Sequence, residues 1–255
     1  MKSLLKRRKK TATTKLQAIE PVAAPFPVLR DAEIAAAFAG RRSAGDFYDS
    51  IRVGPSRVLF GLLDVAGRRA QNNHILLAVQ RVFRQAGAKL FAPNEVNETD
   101  ALTELCLQLN RTVIETAGGV HSSPAFAGCY NEDLGTVCYF NAGHTPGLVR
   151  HTSSVSELGA TGLPLGLFSH TTCDARIIAL EPGAALLLVS RGVVELENKR
   201  EEFGLRRAEG ALESADPTGA HDVCAYVLDC AQRFASALPA NEDITALALV
   251  RHSPA

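Results

Sequence analysis

The chain of 255 residues has no tryptophan, a single methionine and an aromatic content of only 6%. With four tyrosines and no tryptophan, it has no series of aromatic side chains on which single-stranded nucleic acid would stack, so no nucleic-acid partner is expected. Its longest apolar stretches, such as 184–189, have the length of a strand, whereas a membrane-spanning helix needs about 20 apolar residues. The composition therefore excludes these two classes before any motif is considered.

The six cysteines form no Cys-x-x-Cys pair, and none has a histidine at the spacing of a zinc site. Most of them lie inside apolar segments, as Cys138 and Cys224 do. We therefore predict reduced cysteines packed in the core. Residues 11–19 are mostly polar and do not form the apolar part of a signal peptide, so we expect a soluble cytoplasmic protein.

The chain carries no net charge, but six of its 27 basic residues lie between Lys2 and Lys10. The rest contains 21 basic and 27 acidic residues, a net charge near −6. We predict a basic flexible tail at 1–20 and one domain at 21–255, whose 46% hydrophobic content is enough for one core. Residues 2–10 suit an anionic lipid surface, at about 1 kcal/mol per charge, but a solvated tail is the favoured interpretation.

The spacing of apolar residues divides the domain into predicted helices and predicted strands. Helical spacing predicts helices at 70–85, 99–116, 205–214 and 219–237, with Thr99 and Asp100 starting the second. Short apolar runs between turn residues predict strands at 57–65, 125–130, 136–141, 147–151, 173–180, 184–190 and 244–251. The middle strands follow one another closely and are predicted to form an antiparallel meander. Because the helices cluster instead of alternating with strands, the pattern indicates an α+β protein built in layers.

Acidic residues recur in short segments far apart in the chain. Taken singly, Asp46 is typical of a turn, and Asp64 at a strand end is able to accept hydrogen bonds from nearby backbone donors. However, Asp64 interrupts an apolar run, and burying a carboxylate there is costly unless it is paired or bound to metal. Together the segments predict one shared acidic site.

Six blocks in this order resemble the bacterial metal-dependent type 2C (PPM-type) protein phosphatases, in the branch of sporulation protein E and the sigma-factor regulators. They are Ala44-Gly45-Asp46-Phe47-Tyr48-Asp49, Leu63-Asp64-Val65-Ala66-Gly67, Asn141-Ala142-Gly143-His144-Thr145-Pro146, Gly162-Leu163-Pro164-Leu165-Gly166, Glu202-Phe203-Gly204 and Glu242-Asp243-Ile244-Thr245. The resemblance covers about 25–251. It implies a four-layer α-β-β-α sandwich with two central antiparallel sheets.

In this family a cluster of aspartates holds two Mg²⁺ or Mn²⁺ ions, and a bridging water attacks a phosphoserine or phosphothreonine. The resemblance assigns metal-binding and catalytic roles to Asp46 and Asp64, and a backbone ligand to Val65. The last ligand position falls on Glu242, with Asp243 beside it as a substitute. His144 resembles a family packing residue instead of a ligand.

The chain departs from the family where a metal-binding aspartate is expected, because Arg191 stands there. A guanidinium about 4 Å from a divalent ion is repelled by about 8 kcal/mol at an effective dielectric constant of 20. We therefore expect Arg191 to pair with Asp46 or Asp64 and to leave room for one ion or none. Arg68 and Arg69 also replace a His-Gly pair of the family.

Two hypotheses follow. The favoured one is a pseudophosphatase, which keeps the fold and binds a partner, with Arg68, Arg69 and Arg191 as a possible phosphate-binding group. The alternative is an active metal-dependent phosphatase acting on a small phosphorylated regulatory protein, such as an anti-anti-sigma-type domain. Solvated loop charges are the simpler interpretation of Arg68 and Arg69.

Overall fold

The central strands are buried on both faces in the computed structural model of the protein. It describes residues 25–40, 45–67, 69–152, 154–216, 219–235 and 243–253. In chain order the elements are β1 (Ala32–Ala39), β2 (Asp46–Arg52), β3 (Arg57–Asp64), α1 (Arg69–Leu90), α2 (Glu98–Ala117), β4 (Ala125–Asn131), β5 (Thr136–Ala142), β6 (Gly147–Arg150), β7 (Val155–Leu158), β8 (Arg176–Ala179), β9 (Ala185–Val189), α3 (Arg191–Val194), β10 (Glu197–Asn198), β11 (Glu201–Glu202), α4 (Gly204–Ser214), α5 (Ala220–Ala235) and β12 (Ile244–Arg251).

The strands form two five-stranded antiparallel sheets and a short β10–β11 hairpin. The first sheet has the order β1-β12-β9-β6-β7, and the second has the order β2-β3-β4-β5-β8. One apolar cluster fills the space between the sheets, with residues such as Leu62, Leu186 and Leu247. Two further clusters join α1 and α2 to the second sheet, and α4 and α5 to the first. The predicted α-β-β-α sandwich is therefore confirmed.

The register of the sheets decides which side chains face each other. On β12, Leu247 and Leu249 face the gap between the sheets, while Ala246 and Ala248 face the helices. On β3, Leu62 faces the gap and Leu63 faces α1 and α2. Successive residues of a strand point to opposite faces, so Thr245 and Asp64 also belong to the inner faces of the two sheets.

Several predicted boundaries were displaced. The helix predicted to start at Thr99 and Asp100 begins one residue earlier and is capped by Asn97, whose side chain accepts hydrogen bonds from the amides of Thr99 and Asp100. The predicted single meander is wrong, because β4 and β5 belong to one sheet while β6 crosses to the other. Strands β1, β2 and β7 were not predicted, since alanine-rich or polar sequences carry little strand signal.

Cysteine positions agree with the sequence, since all six are free and five of them are buried. In the described part of the chain, no helix is long and apolar enough to cross a membrane.

Asp49 lies in one of the acidic segments but faces away from the others, toward α1. Its carboxylate accepts two hydrogen bonds from Arg84, from Nε at 2.6 Å and from a terminal nitrogen at 2.8 Å. Gln80 donates a third at 3.3 Å, and the amide of Ser50 donates a fourth at 2.9 Å. This pair, in which Asp49 is buried and Arg84 is partly exposed, fastens α1 to the second sheet.

We predict that Asp49→Ala destabilises the fold by about 3 kcal/mol, because it leaves the Arg84 guanidinium without its buried partner. Urea denaturation followed by circular dichroism measures this loss. The matched control is Asp229→Ala, which removes an exposed pair with Arg233 and is expected to cost less than about 1 kcal/mol. Equal losses in the two variants would contradict the anchoring role.

Candidate functional site

Asp46 and Asp64 face each other on neighbouring strands at one end of the sandwich. Asp46 is the first residue of β2, Asp64 is the last of β3, and the two are direct partners in the antiparallel ladder. Side chains at such paired positions share one face of a sheet, so both carboxylates point toward the gap between the sheets. Both residues are buried. The structure therefore brings together the two carboxylates that the sequence singled out.

The backbone at this end is closely packed. The amide of Val65 donates to the carbonyl of Gly45 at 3.2 Å. A β-carbon added at Gly45 would collide with the carbonyl oxygen of Val65, so only glycine fits beside this strand end. The carbonyl of Val65, a predicted backbone ligand, therefore lies directly against the residue that precedes Asp46.

The opposite sheet supplies hydroxyl groups that sequence reasoning missed. The Thr245 hydroxyl donates to Oδ2 of Asp46 at 2.8 Å, and the Thr245 amide donates to the Ser190 hydroxyl at 3.1 Å. A hydrogen bond from Ser190 also favours the ionised form of Asp46. Strand alternation was the available signal, because Thr245 shares a face with Leu247 and Leu249.

Burial and the neighbouring charge of Asp64 raise the pKa of Asp46 to about 7, although the hydroxyls of Thr245 and Ser190 act in the opposite direction. Asp243, which is also buried, adds a further negative charge near Asp46. Burial likewise raises the pKa of Asp64, and the guanidinium of Arg191 limits that rise. Three carboxylates thus share one poorly solvated corner.

Arg191 lies at the same corner, where β9 ends and α3 begins. Its Nε is 3.4 Å from Oδ2 of Asp64 and 3.7 Å from Oε2 of Glu195. Gly192 follows directly, and a β-carbon there would collide with the carbonyl oxygen of Asp243, so α3 packs tightly against the start of β12. The expected ion pair of Arg191 is therefore found with Asp64, and its side chain remains 55% exposed.

Three further residues predicted for the site are described only in part or not at all. Glu242 and Arg68 fall outside the described residues, and of Arg69 only the backbone, at the start of α1, is described. Within the described ranges, no three histidine, cysteine, aspartate or glutamate side chains are grouped in a way that could hold a metal ion. The described oxygen groups at this corner are the carboxylates of Asp46, Asp64 and Asp243 and the carbonyl of Val65. The guanidinium of Arg191 contacts one of these carboxylates, that of Asp64.

His144 is buried beside this end of the sandwich, in the turn between β5 and β6. Its amide donates to Oδ1 of Asn141 at 2.8 Å, and its Nδ1 lies 3.0 Å from the carbonyl oxygen of Thr145. Burial lowers the pKa of His144 to about 4. These contacts fit the predicted packing role.

We predict that His144 makes the fold less stable in acid. Between about pH 6.5 and pH 4 the unfolded chain binds a proton at this residue and the folded chain does not, so stability falls as the pH falls. The loss is about 2 kcal/mol between pH 7 and pH 5, at roughly 1.4 kcal/mol per pH unit below the unfolded pKa. Urea denaturation at both values should show a smaller loss for His144→Gln than for the original chain. The same loss in both proteins would contradict this assignment.

The two facing sheets with helix pairs outside them have the architecture of the PPM (type 2C) fold. The family model described as "Stage II sporulation protein E (SpoIIE)" matches residues 54–252. The chain belongs to this family, a branch of the bacterial PPM-type phosphatases.

Three similar proteins illustrate the likeness. Protein IcfG of Synechocystis is 24% identical over 198 residues, which cover 70% of this chain and 31% of that protein. The structure of the RsbU and RsbW domains of a Mycobacterium tuberculosis protein aligns with a TM-score of 0.72 and 22% identity, over 91% of this chain and 64% of that one. RsbX in complex with magnesium aligns with a TM-score of 0.63 and 9% identity, over 88% and 98%. The chain thus spans about a third of the first and less than two thirds of the second.

Proposed function

We propose that this domain is a pseudophosphatase, a PPM-type fold with a degraded dinuclear metal site that binds a signalling partner in the cytoplasm. The observation that carries the proposal is the contact of 3.4 Å between Nε of Arg191 and Oδ2 of Asp64. In this interpretation the guanidinium takes the place of one metal ion. The active metal-dependent phosphatase is the alternative, and the experiments below separate the two.

A charge balance supports the proposal. Four carboxylates balance two divalent ions, whereas Asp46, Asp64 and Asp243 with Arg191 carry a formal charge of −2, which suits one divalent ion at most. A guanidinium about 4 Å from a divalent ion is repelled by about 8 kcal/mol at an effective dielectric constant of 20. The tight packing of Gly192 against the Asp243 carbonyl keeps the start of α3, and with it Arg191, at this corner. The residues do not suit a pair of Mn²⁺ or Mg²⁺ ions.

The partner that suits this corner is a phosphorylated regulatory protein, such as an anti-anti-sigma-type domain. Arg191 contacts Asp64 through Nε at a long distance and is 55% exposed, so its terminal nitrogens are available to a phosphate from solvent. Arginine suits this role because its planar fork matches phosphate oxygens. Arg68 and Arg69 follow Gly67 in the sequence and are proposed as further phosphate contacts.

We predict that Arg191→Asp increases the affinity for Mn²⁺ at least tenfold, because it restores a carboxylate and removes the repelling charge. Isothermal titration calorimetry measures the affinity. The matched control is Arg233→Asp, which makes the same charge change at an exposed position of α5. If both variants gain affinity equally, the effect is general electrostatics and the proposed exchange at residue 191 is wrong.

We also predict no measurable hydrolysis of a phosphothreonine peptide by the original chain at millimolar Mn²⁺. Release of inorganic phosphate measures turnover. Turnover that disappears in Asp64→Asn would establish the active phosphatase and contradict the pseudophosphatase. Activity that Asp64→Asn leaves unchanged would belong to a contaminant.

A further inference from the structure

Glu195 is a second carboxylate in contact with the arginine of the corner. Its Oε2 lies 3.7 Å from Nε of Arg191, and the same nitrogen lies 3.4 Å from Oδ2 of Asp64. Neither contact has the length of a strong charge-assisted hydrogen bond, about 2.7–2.9 Å. Because one cation is shared by two carboxylates, the local charge around Arg191 is negative rather than neutral.

The short helix α3 keeps Glu195 beside this corner. Arg191 and Glu195 are four residues apart, the spacing at which side chains meet on one face of a helix. The amide of Glu195 donates to the carbonyl of Arg191 at 2.9 Å. Val193 and Leu196 are buried in the apolar cluster that joins α4 and α5 to the first sheet. These buried residues fix α3 on the sheet, and with it the position of Glu195.

The carboxylate of Glu195 is accessible to a ligand from solvent. Its side chain is 55% exposed, whereas that of Asp64 is 9% exposed. Among the described residues, Arg191 is the one cation within 4.0 Å of the Glu195 carboxylate. An exposed ion pair at this distance is weak, so Glu195 is still able to attract a second cation.

A phosphate bound by Arg191 would meet this carboxylate. Held by the terminal nitrogens of Arg191, the phosphate lies within about one Debye length of Glu195, roughly 8 Å at physiological salt. Its charge of about −2 is repelled there by Glu195 and by Asp64. A positive charge on the ligand next to the phosphate offsets this repulsion by pairing with Glu195, the more exposed of the two carboxylates.

We propose that Glu195 is a specificity-determining residue, which selects phosphorylated segments that carry lysine or arginine next to the phosphorylated residue. This inference rests on the proposed function, because it assumes that a phosphate binds at Arg191. The charge of the chain agrees with a basic partner segment, since residues 11–255 contain 21 basic and 27 acidic residues. Acidic residues in the same place would add to the repulsion of the phosphate.

Fluorescence anisotropy tests this with four labelled peptides: a phosphothreonine flanked on both sides by lysines, by alanines or by glutamates, and the lysine peptide without phosphate. We expect the original chain to prefer the lysine-flanked phosphopeptide. Glu195→Gln should reduce the ratio of affinities for the lysine- and glutamate-flanked phosphopeptides about fivefold, and Glu195→Lys should reduce it further. The matched control is Glu213→Gln, which removes an exposed carboxylate from the last turn of α4 and should change the ratio less than about twofold.

The outcomes separate the two proposals. Equal affinity of the original chain for all three phosphopeptides would overturn the inference and leave the phosphate site intact. A lysine preference that Glu195→Gln leaves unchanged, or that Glu213→Gln reduces equally, would make it general electrostatics and also overturn the inference alone. Equal binding of the lysine peptide with and without phosphate would contradict the phosphate site at Arg191, on which the inference depends. Failure to bind any of the peptides would contradict both.

Discussion

Two buried carboxylates on the same rung of a sheet need positive charge nearby, and this requirement governs the site. Asp46 and Asp64 are ladder partners, and residues so paired stand about 4.5–5.5 Å apart at their α-carbons. Burial and then the neighbouring charge of Asp64 raise the pKa of Asp46 to about 7. Among the described residues, the guanidinium of Arg191 stabilises the charge of Asp64, and the hydroxyls of Thr245 and Ser190 stabilise that of Asp46.

The corner is fixed by the fold rather than by its own contacts. The residues of the corner lie at the ends of two strands in each sheet. The apolar layer between the sheets sets the distance between the two sheets. Close backbone approaches at Gly45 and Gly192 then hold the neighbouring residues at van der Waals distance. A change of charge at Arg191, which is half exposed, therefore alters the chemistry of the corner without disturbing the core.

Sequence reasoning recovered the layers and the acidic pair because both leave local signals. Motif order identified Asp46 and Asp64, and helical spacing located four helices. Sequence reasoning failed where contacts between distant segments determine the structure. The position of β6 in the other sheet depends on packing between elements. The hydrogen bonds of Thr245 and Ser190 form only where the two sheets meet. The choice of Asp64 over Asp46 as the partner of Arg191 likewise depends on where α3 begins. The assignment of metal ligands stays a prediction.

The most direct test is anomalous diffraction from crystals of the unmodified chain grown with excess Mn²⁺. The account predicts no more than one manganese peak at the corner formed by Asp46, Asp64 and Asp243, with the Arg191 guanidinium still beside Asp64. Two well-occupied peaks bridged by Asp64, with Arg191 turned away, would contradict it.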